Sequence, residues 1–179
     1  MKIIRNTLKN ELSIRTEKNY PKEGIEFIDV MPLFIQKEVF KEIIDKFVDE
    51  IKNKNIDFII APEARGFILG STVSYILNIG CVPIRKKGKL PPTTVEACVS
   101  YEKEYGKDYL EFPQLVNESY EGKRFYIIDD IYATGNTFEA IKRQISKLGG
   151  VVVGEGTILN ITELNNNKDL FSLIDVNEE

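Results

Sequence analysis

The sequence predicts an α/β fold, a central and mostly parallel sheet flanked by helices, built as one domain over residues 1–179. Three observations predict it. Short runs rich in β-branched and aromatic residues, at 56–61, 81–84, 125–128 and 151–159, have the composition of strands buried on both faces. Between them, 38–51 and 138–148 repeat apolar residues at spacings of three and four, the signature of amphipathic helices. Strands that alternate with helices pair in parallel through right-handed crossovers.

In chain order, Ile4, Leu8 and Leu12 stand four apart and predict a modest amphipathic helix that ends near Ser13. Pro21 and Gly24 mark a turn, and Ile25, Phe27 and Val30 a short half-buried segment beside Asp29. Val39, Phe40, Ile43, Ile44, Phe47, Val48 and Ile51 form the clearest helical stripe, ended by 52–55. The strand at 56–61 leads through the turn 62–66 into a helix over 67–77, stopped by Asn78 and Gly80. After the strand at 81–84 come a basic turn at 85–89 and an extended stretch over 93–101. A returning strand at 109–112 follows. Asp129 and Asp130 then end the strand 125–128, and Gly149 and Gly150 cap the helix that follows. Beyond the strand at 151–159 the tail is acidic.

Composition narrows the function. With 42% hydrophobic and 29% charged residues the chain reads as an ordinary globule, and no apolar run approaches the ~20 residues of a membrane helix. A net charge of −4 argues against non-specific nucleic-acid binding. No apolar stretch follows Lys2 and Arg5, so no secretory signal is expected. Cys81 and Cys98 lack metal-ligand spacing, and the chain has no His, which argues for buried thiols, against zinc and for a reducing, cytoplasmic setting. Proton transfer is left to carboxylates, Tyr, Lys or water.

Three turns carry the chemistry. Ala133, Thr134, Gly135, Asn136 and Thr137 are small or polar and lead into a helix, so N–H groups and hydroxyls converge on an anion with the positive end of the helix dipole behind them. Beside that loop, ionised Asp129 and Asp130 accept hydrogen bonds or bind cations, which suits a ribose diol or hydrated Mg²⁺. Arg65 stands in a strand-to-helix turn, and Arg85, Lys86, Lys87 and Lys89 crowd four cations into five residues, which repel unless an anion lies among them. All three turns follow strands, so they are expected to share one crevice at the strands' carboxyl ends.

The stretch 124–138 resembles the phosphoribosyl pyrophosphate (PRPP) binding motif of type I phosphoribosyltransferases: apolar residues, two acids, then a Thr-Gly loop. Glu63-Ala-Arg-Gly-Phe-Ile-Leu-Gly70, Val82-Pro-Ile-Arg-Lys-Lys-Gly-Lys-Leu-Pro91 and Ser100-Tyr-Glu-Lys-Glu-Tyr-Gly106 resemble, in order and spacing, motifs of the adenine phosphoribosyltransferases, and the likeness spans about 18–165. The resemblance implies a type I phosphoribosyltransferase fold with a short N-terminal hood over about 18–35 and a mobile closing loop over about 90–110. It also implies transfer of ribose 5-phosphate from PRPP to N9 of adenine, with an oxocarbenium-like transition state, Mg²⁺, and AMP and pyrophosphate as products, in a homodimer.

Residue by residue, the resemblance assigns 133–137 to the 5-phosphate and Asp129 and Asp130 to ribose hydroxyls or metal-bound waters. Arg65, Arg85, Lys86 and Lys89 fall to the pyrophosphate, Glu104 to the purine proton, and Tyr105 to closure of the site. Ile25, Glu26 and Phe27, with Ile161, meet the base. The chain departs from the family pattern at Ile28, often basic in relatives, at Asn136, the second Gly of their loop, and at Asn160, commonly an acid. A transferase for another purine fits the motifs at 85–91 and 104–106 less well. A PRPP-sensing regulator on the same fold would not need the closing loop.

Overall fold

Strand 125–128 is apolar throughout because helices cover both of its faces. The structure, a computed structural model, describes residues 2–6, 14–20, 23–24, 26–103 and 106–178. Its strands are β1 (Lys2–Asn6), β2 (Arg15–Lys18), β3 (Glu26–Asp29), β4 (Phe58–Pro62), β5 (Gly80–Lys86), β6 (Val95–Lys103), β7 (Gly106–Pro113), β8 (Arg124–Tyr132), β9 (Val151–Ile161) and β10 (Phe171–Glu178). Its α-helices are α1 (Met31–Ile35), α2 (Lys37–Ile51), α3 (Arg65–Leu77) and α4 (Asn136–Lys147).

Eight strands form one sheet in the order β1-β10-β9-β8-β4-β5-β7-β6, and β2 pairs with β3 in a separate two-stranded sheet. The five strands from β10 to β5 run parallel, while β1 is antiparallel to β10 at one edge and β7 is antiparallel to both β5 and β6 at the other. Alternation along β8 divides the core in two. Tyr126 and Ile128 pack with Ile59, Ile43, Phe47, Leu69 and Val73, under α2 and α3. Phe125 and Ile127 pack with Ile60, Ile84, Phe138, Ile141 and Ile145, under α4.

The helical stripe over 38–51 is α2, with Val39, Ile43, Ile44, Phe47 and Ile51 buried. α3 ends as expected at Asn78, whose φ of 55° places it in the left-handed region that stops a helix. The helix expected over the first residues is corrected: 2–6 form β1, paired from Lys2 opposite Glu178 to Asn6 opposite Ile174, and 7–13 lie outside the described residues. The acidic tail is likewise a strand, β10, and α1 went unread because five residues carry no periodicity. Cys98 is exposed rather than buried, because it falls on the face of β6 opposite to that of buried Val99 and Tyr101; Cys81 is half-buried.

Phe47 is fully enclosed and meets Phe171 edge to face at 5.6 Å, joining α2 to β10. Phe47→Ala is expected to lower the unfolding free energy by about 3–5 kcal/mol, measured by urea denaturation.

Candidate active site

The loops that leave β4, β5 and β8 meet at the carboxyl edge of the parallel strands, and the three turns singled out in the sequence come together there. They enclose a cleft of about 330 Å³ lined by Glu63, Arg65, Lys86, Asp129, Asp130 and Thr137 among others. Arg65 is the first residue of α3. Its Nε lies 2.6 Å from Asp130 Oδ2, and its guanidinium sits 5.8 Å from the centre of the Phe27 ring. A Cβ on the next residue, Gly66, would lie 2.9 Å from Asp129 Oδ1 and 3.1 Å from Ile128 O, so glycine is what lets α3 begin so near β8.

The acids do not end β8, which continues to Tyr132 with Asp129 in register opposite Thr157. Asp130 is only 4% exposed, and a carboxylate so far out of water needs the cation that Arg65 supplies. Asp129 has a less favourable setting. Removal from water, then the Asp130 charge and hydrogen bond, hold its carboxyl well above the ordinary carboxylate range. The Asp130 N–H, 2.9 Å from Asp129 Oδ1, and the Arg65 charge offset this in part.

The basic turn is quieter than its sequence suggests. Arg85 and Lys86 belong to β5, and Glu63 Oε2 accepts from Arg85 Nε at 2.9 Å and from the Lys86 N–H at 3.0 Å. Partial burial raises the Glu63 carboxyl, but those two hydrogen bonds and the charges of Arg85 and Lys86 prevail, and the net shift is downward. Glu111 accepts from the Gly88 N–H at 2.9 Å, and Lys87 Nζ stands 4.7 Å from the Tyr109 ring centre. Of the four assigned cations, Arg65 and Lys86 line the cleft; Arg85 and Lys89 are not in its lining.

The loop 133–137 turns at Gly135, where φ is 81° and a Cβ would lie 2.4 Å from the Tyr132 hydroxyl oxygen. Glycine is therefore demanded twice, by conformation and by space. Asn136 opens α4, and its Nδ2 donates to Glu102 O at 3.2 Å; Arg143 donates to Ser100 O at 3.1 Å, so α4 holds β6 at two points. Thr137 lines the cleft.

On the side assigned to the base, Phe27 is half-buried and meets Tyr20 edge to face at 5.2 Å, and Ile161 ends β9 against the core. Ile28 is buried in that core, its side chain on the opposite face of β3 from Phe27. The backbone of Glu26 pairs opposite Lys18, whereas Ile25, Glu104 and Tyr105 lie outside the described residues. Sequence reading missed Glu63 as the partner of the basic strand end. An acid two residues before Arg65, in a turn beside four cations, was the available signal.

Residues 33–169 match the phosphoribosyl transferase domain family. The adenine phosphoribosyltransferase of Clostridium acetobutylicum is 46% identical over 153 residues, 86% of this chain and 87% of that protein. That of Thermotoga petrophila is 43% identical over 159 residues, 89% of this chain and 91% of its own length. Among solved structures, adenine phosphoribosyltransferase from Thermoanaerobacter pseudethanolicus superposes with a TM-score of 0.81 at 36% identity, over 90% of this chain and 95% of that one. The Saccharomyces cerevisiae protein, complexed with adenine and an imino-altritol bisphosphate, gives 0.78 at 33% identity, over 90% and 94%.

A group whose folded pKa is raised stabilises fully below its ordinary pKa, and that contribution is lost as pH rises through the folded value. Asp129→Asn removes the carboxyl that must ionise in place. The variant is expected to melt above the parent at about pH 8, with the gap closing as pH falls and gone below about pH 4. Scanning calorimetry across that range checks it.

Proposed function

The chain belongs to the adenine phosphoribosyltransferases, and on that premise we propose that its cleft moves ribose 5-phosphate from PRPP to N9 of adenine, giving AMP and pyrophosphate in purine salvage. The observation that carries this reading is the acid pair Asp129 and Asp130, flanked by Arg65 on one side and by a glycine-turned loop at a helix start on the other. A phosphate, a ribose and a diphosphate each find the chemistry they need within one cleft.

In the reaction the C1–O bond to pyrophosphate breaks and its electron pair leaves with the diphosphate. C1 becomes oxocarbenium-like, the N9 lone pair closes onto it, and the N9 proton passes to a base. Rate then comes from positioning and from charge placed where charge develops. Residues 133–137 hold the 5-phosphate, and Asp129 and Asp130 take the ribose hydroxyls. Arg65 and Lys86 face the leaving group, while Arg85 and Lys89 add to the positive field around it. Asp129 and Asp130 would hold the waters of a Mg²⁺ ion, which would supply positive charge toward the leaving diphosphate.

The hood over about 18–35 takes in β3 and α1, and Phe27 of β3 stands beside Arg65; residues 25–27, with Ile161, meet the base. The β6–β7 hairpin is the closing element. Glu104 and Tyr105, between its strands, take the purine proton and cover the site. The thiols Cys81 and Cys98, both free, suit the reducing cytoplasm.

The assay is AMP formation from adenine, PRPP and Mg²⁺, run beside hypoxanthine, guanine and xanthine. Adenine alone is expected to turn over, with losses of about 10²–10³-fold in Arg65→Ala and about 10²–10⁴-fold in Glu104→Ala. Measurable PRPP binding without turnover of any base would overturn the enzyme reading, and turnover of a different purine would overturn the base assignment. A second copy of the chain docks on α3, whose Ile68, Tyr75 and Ile76 are exposed, Tyr75 to 87%. Sedimentation is expected to show a dimer that Tyr75→Asp with Ile76→Asp converts to monomer.

A further inference from the structure

A loop that binds an anion turns its N–H groups inward, which sends carbonyl oxygens outward, where they need donors of their own. At the mouth of the loop 133–137 the donor is a side chain that the mechanism does not use. Asn165 Nδ2 donates to Ala133 O at 2.8 Å, and lies 2.9 Å from Ile161 O and 3.0 Å from Asn160 Oδ1. Asn160, 6% exposed, carries the connection onward: its own Nδ2 donates to Asp175 Oδ1 at 3.1 Å, and that oxygen also accepts from Ser172 Oγ at 2.7 Å. A chain of polar groups thus runs from β10, across the end of β9, to the first residue of the loop. It also accounts for asparagine at 160: a carboxylate there could still accept from Asn165, but would have no donor to set against Asp175.

Two residues further on stands a second brace. Asn165 Oδ1 accepts the Asn167 N–H at 3.1 Å, and Asn167 Nδ2 donates to the Tyr132 hydroxyl at 3.1 Å and to the Glu155 carboxylate. Tyr132 is the floor on which Gly135 rests. Glu155 is anchored in turn by Lys142 of α4, with Nζ 3.2 Å from Oε2. An asparagine-rich turn that merely ended β9 would spend its donors locally. Here two of the acceptors belong to residues 132 and 133, more than thirty positions back along the chain.

We propose that Asn165 and Asn167 are positioning residues for the 5-phosphate of PRPP, holding the Ala133 carbonyl at the rim and the Tyr132 hydroxyl at the floor so that the loop's N–H groups are aimed before substrate arrives. The proposal rests on the assignment of 133–137 to that phosphate. Neither side chain meets a reacting atom. Asparagine is the required residue because its amide supplies two donors and an acceptor at once; Asn165→Asp, almost the same shape, sets a carboxylate against three oxygens.

The test is calorimetric titration of the full chain with ribose 5-phosphate and, separately, with pyrophosphate, together with KM for PRPP and for adenine. Asn165→Asp is expected to weaken ribose 5-phosphate binding and to raise the PRPP KM about tenfold or more, and Asn165→Ala or Asn167→Ala about three- to tenfold. Pyrophosphate affinity and the adenine KM stay within about twofold, because Arg65 and Lys86 do not depend on this brace. Asn165→Ala and Asn167→Ala, which add no charge, keep the test open if Asn165→Asp folds poorly. Unchanged ribose 5-phosphate affinity in both alanine variants, or a parallel loss of pyrophosphate affinity, would overturn the proposal. Failure of the parent protein to bind ribose 5-phosphate would instead overturn the loop assignment beneath it.

Discussion

The contact between Arg65 and Asp130 is the constraint around which the site is arranged. It joins the first residue of a helix to a central strand two residues before that strand's end, and both must be close for the 2.6 Å approach to exist. Gly66 provides that closeness by having no side chain to set against Asp129 and Ile128. A buried ion pair is a poor way to stabilise a protein, since desolvation offsets much of the attraction. Two neighbouring carboxylates with one cation between them are poorer still, as the upward shift at Asp129 shows. Such an arrangement is retained where the charges serve a ligand, and here they border the cleft.

The same reasoning changes the meaning of the basic turn. Read along the chain, Arg85, Lys86, Lys87 and Lys89 demand an anion. Read in space, Glu63 and Glu111 lie beneath them and already meet part of that demand. The protein's own carboxylates hold the turn in shape without substrate, and Lys86 is left to line the cleft. A cluster of like charges is thus made tolerable by acids that sequence order places elsewhere, one 22 residues and the other 23 residues from its hydrogen-bonded partner.

Local pattern decided which elements were legible. α2, α4 and the interior strands each carry their own signal, a helical stripe or a run apolar on both faces, because burial on a fixed side leaves a period in the sequence. β1 carries none of that kind. Ile4, Leu8 and Leu12 satisfy a helical spacing, yet 2–6 pair with a strand that begins at Phe171, and no local window contains that partner. The strand beyond Asp129 was hidden for a different reason. Two acids read as the end of a strand unless Arg65 is known to meet one of them, and that contact spans 65 positions. The loops that make the site were legible as motifs, but the groups that hold them were not.

Those holding groups share one logic. A loop of small residues has no core of its own, so its shape must be imposed from outside. Tyr132 supports Gly135 from below, Asn165 takes the Ala133 carbonyl, and Asn136 turns its amide outward to Glu102 O on β6. Asn136 stands where the family pattern has a glycine, and a glycine has no side chain with which to reach that strand. In this chain the start of α4 at the loop 133–137 and the β6–β7 hairpin therefore share an anchor. Arg143, two turns further along α4, repeats the attachment at Ser100 O. At Asn136, the first residue of α4, the left-handed turn is already made by Gly135, so the departure from pattern adds a tie between α4 and β6 with no strain of its own.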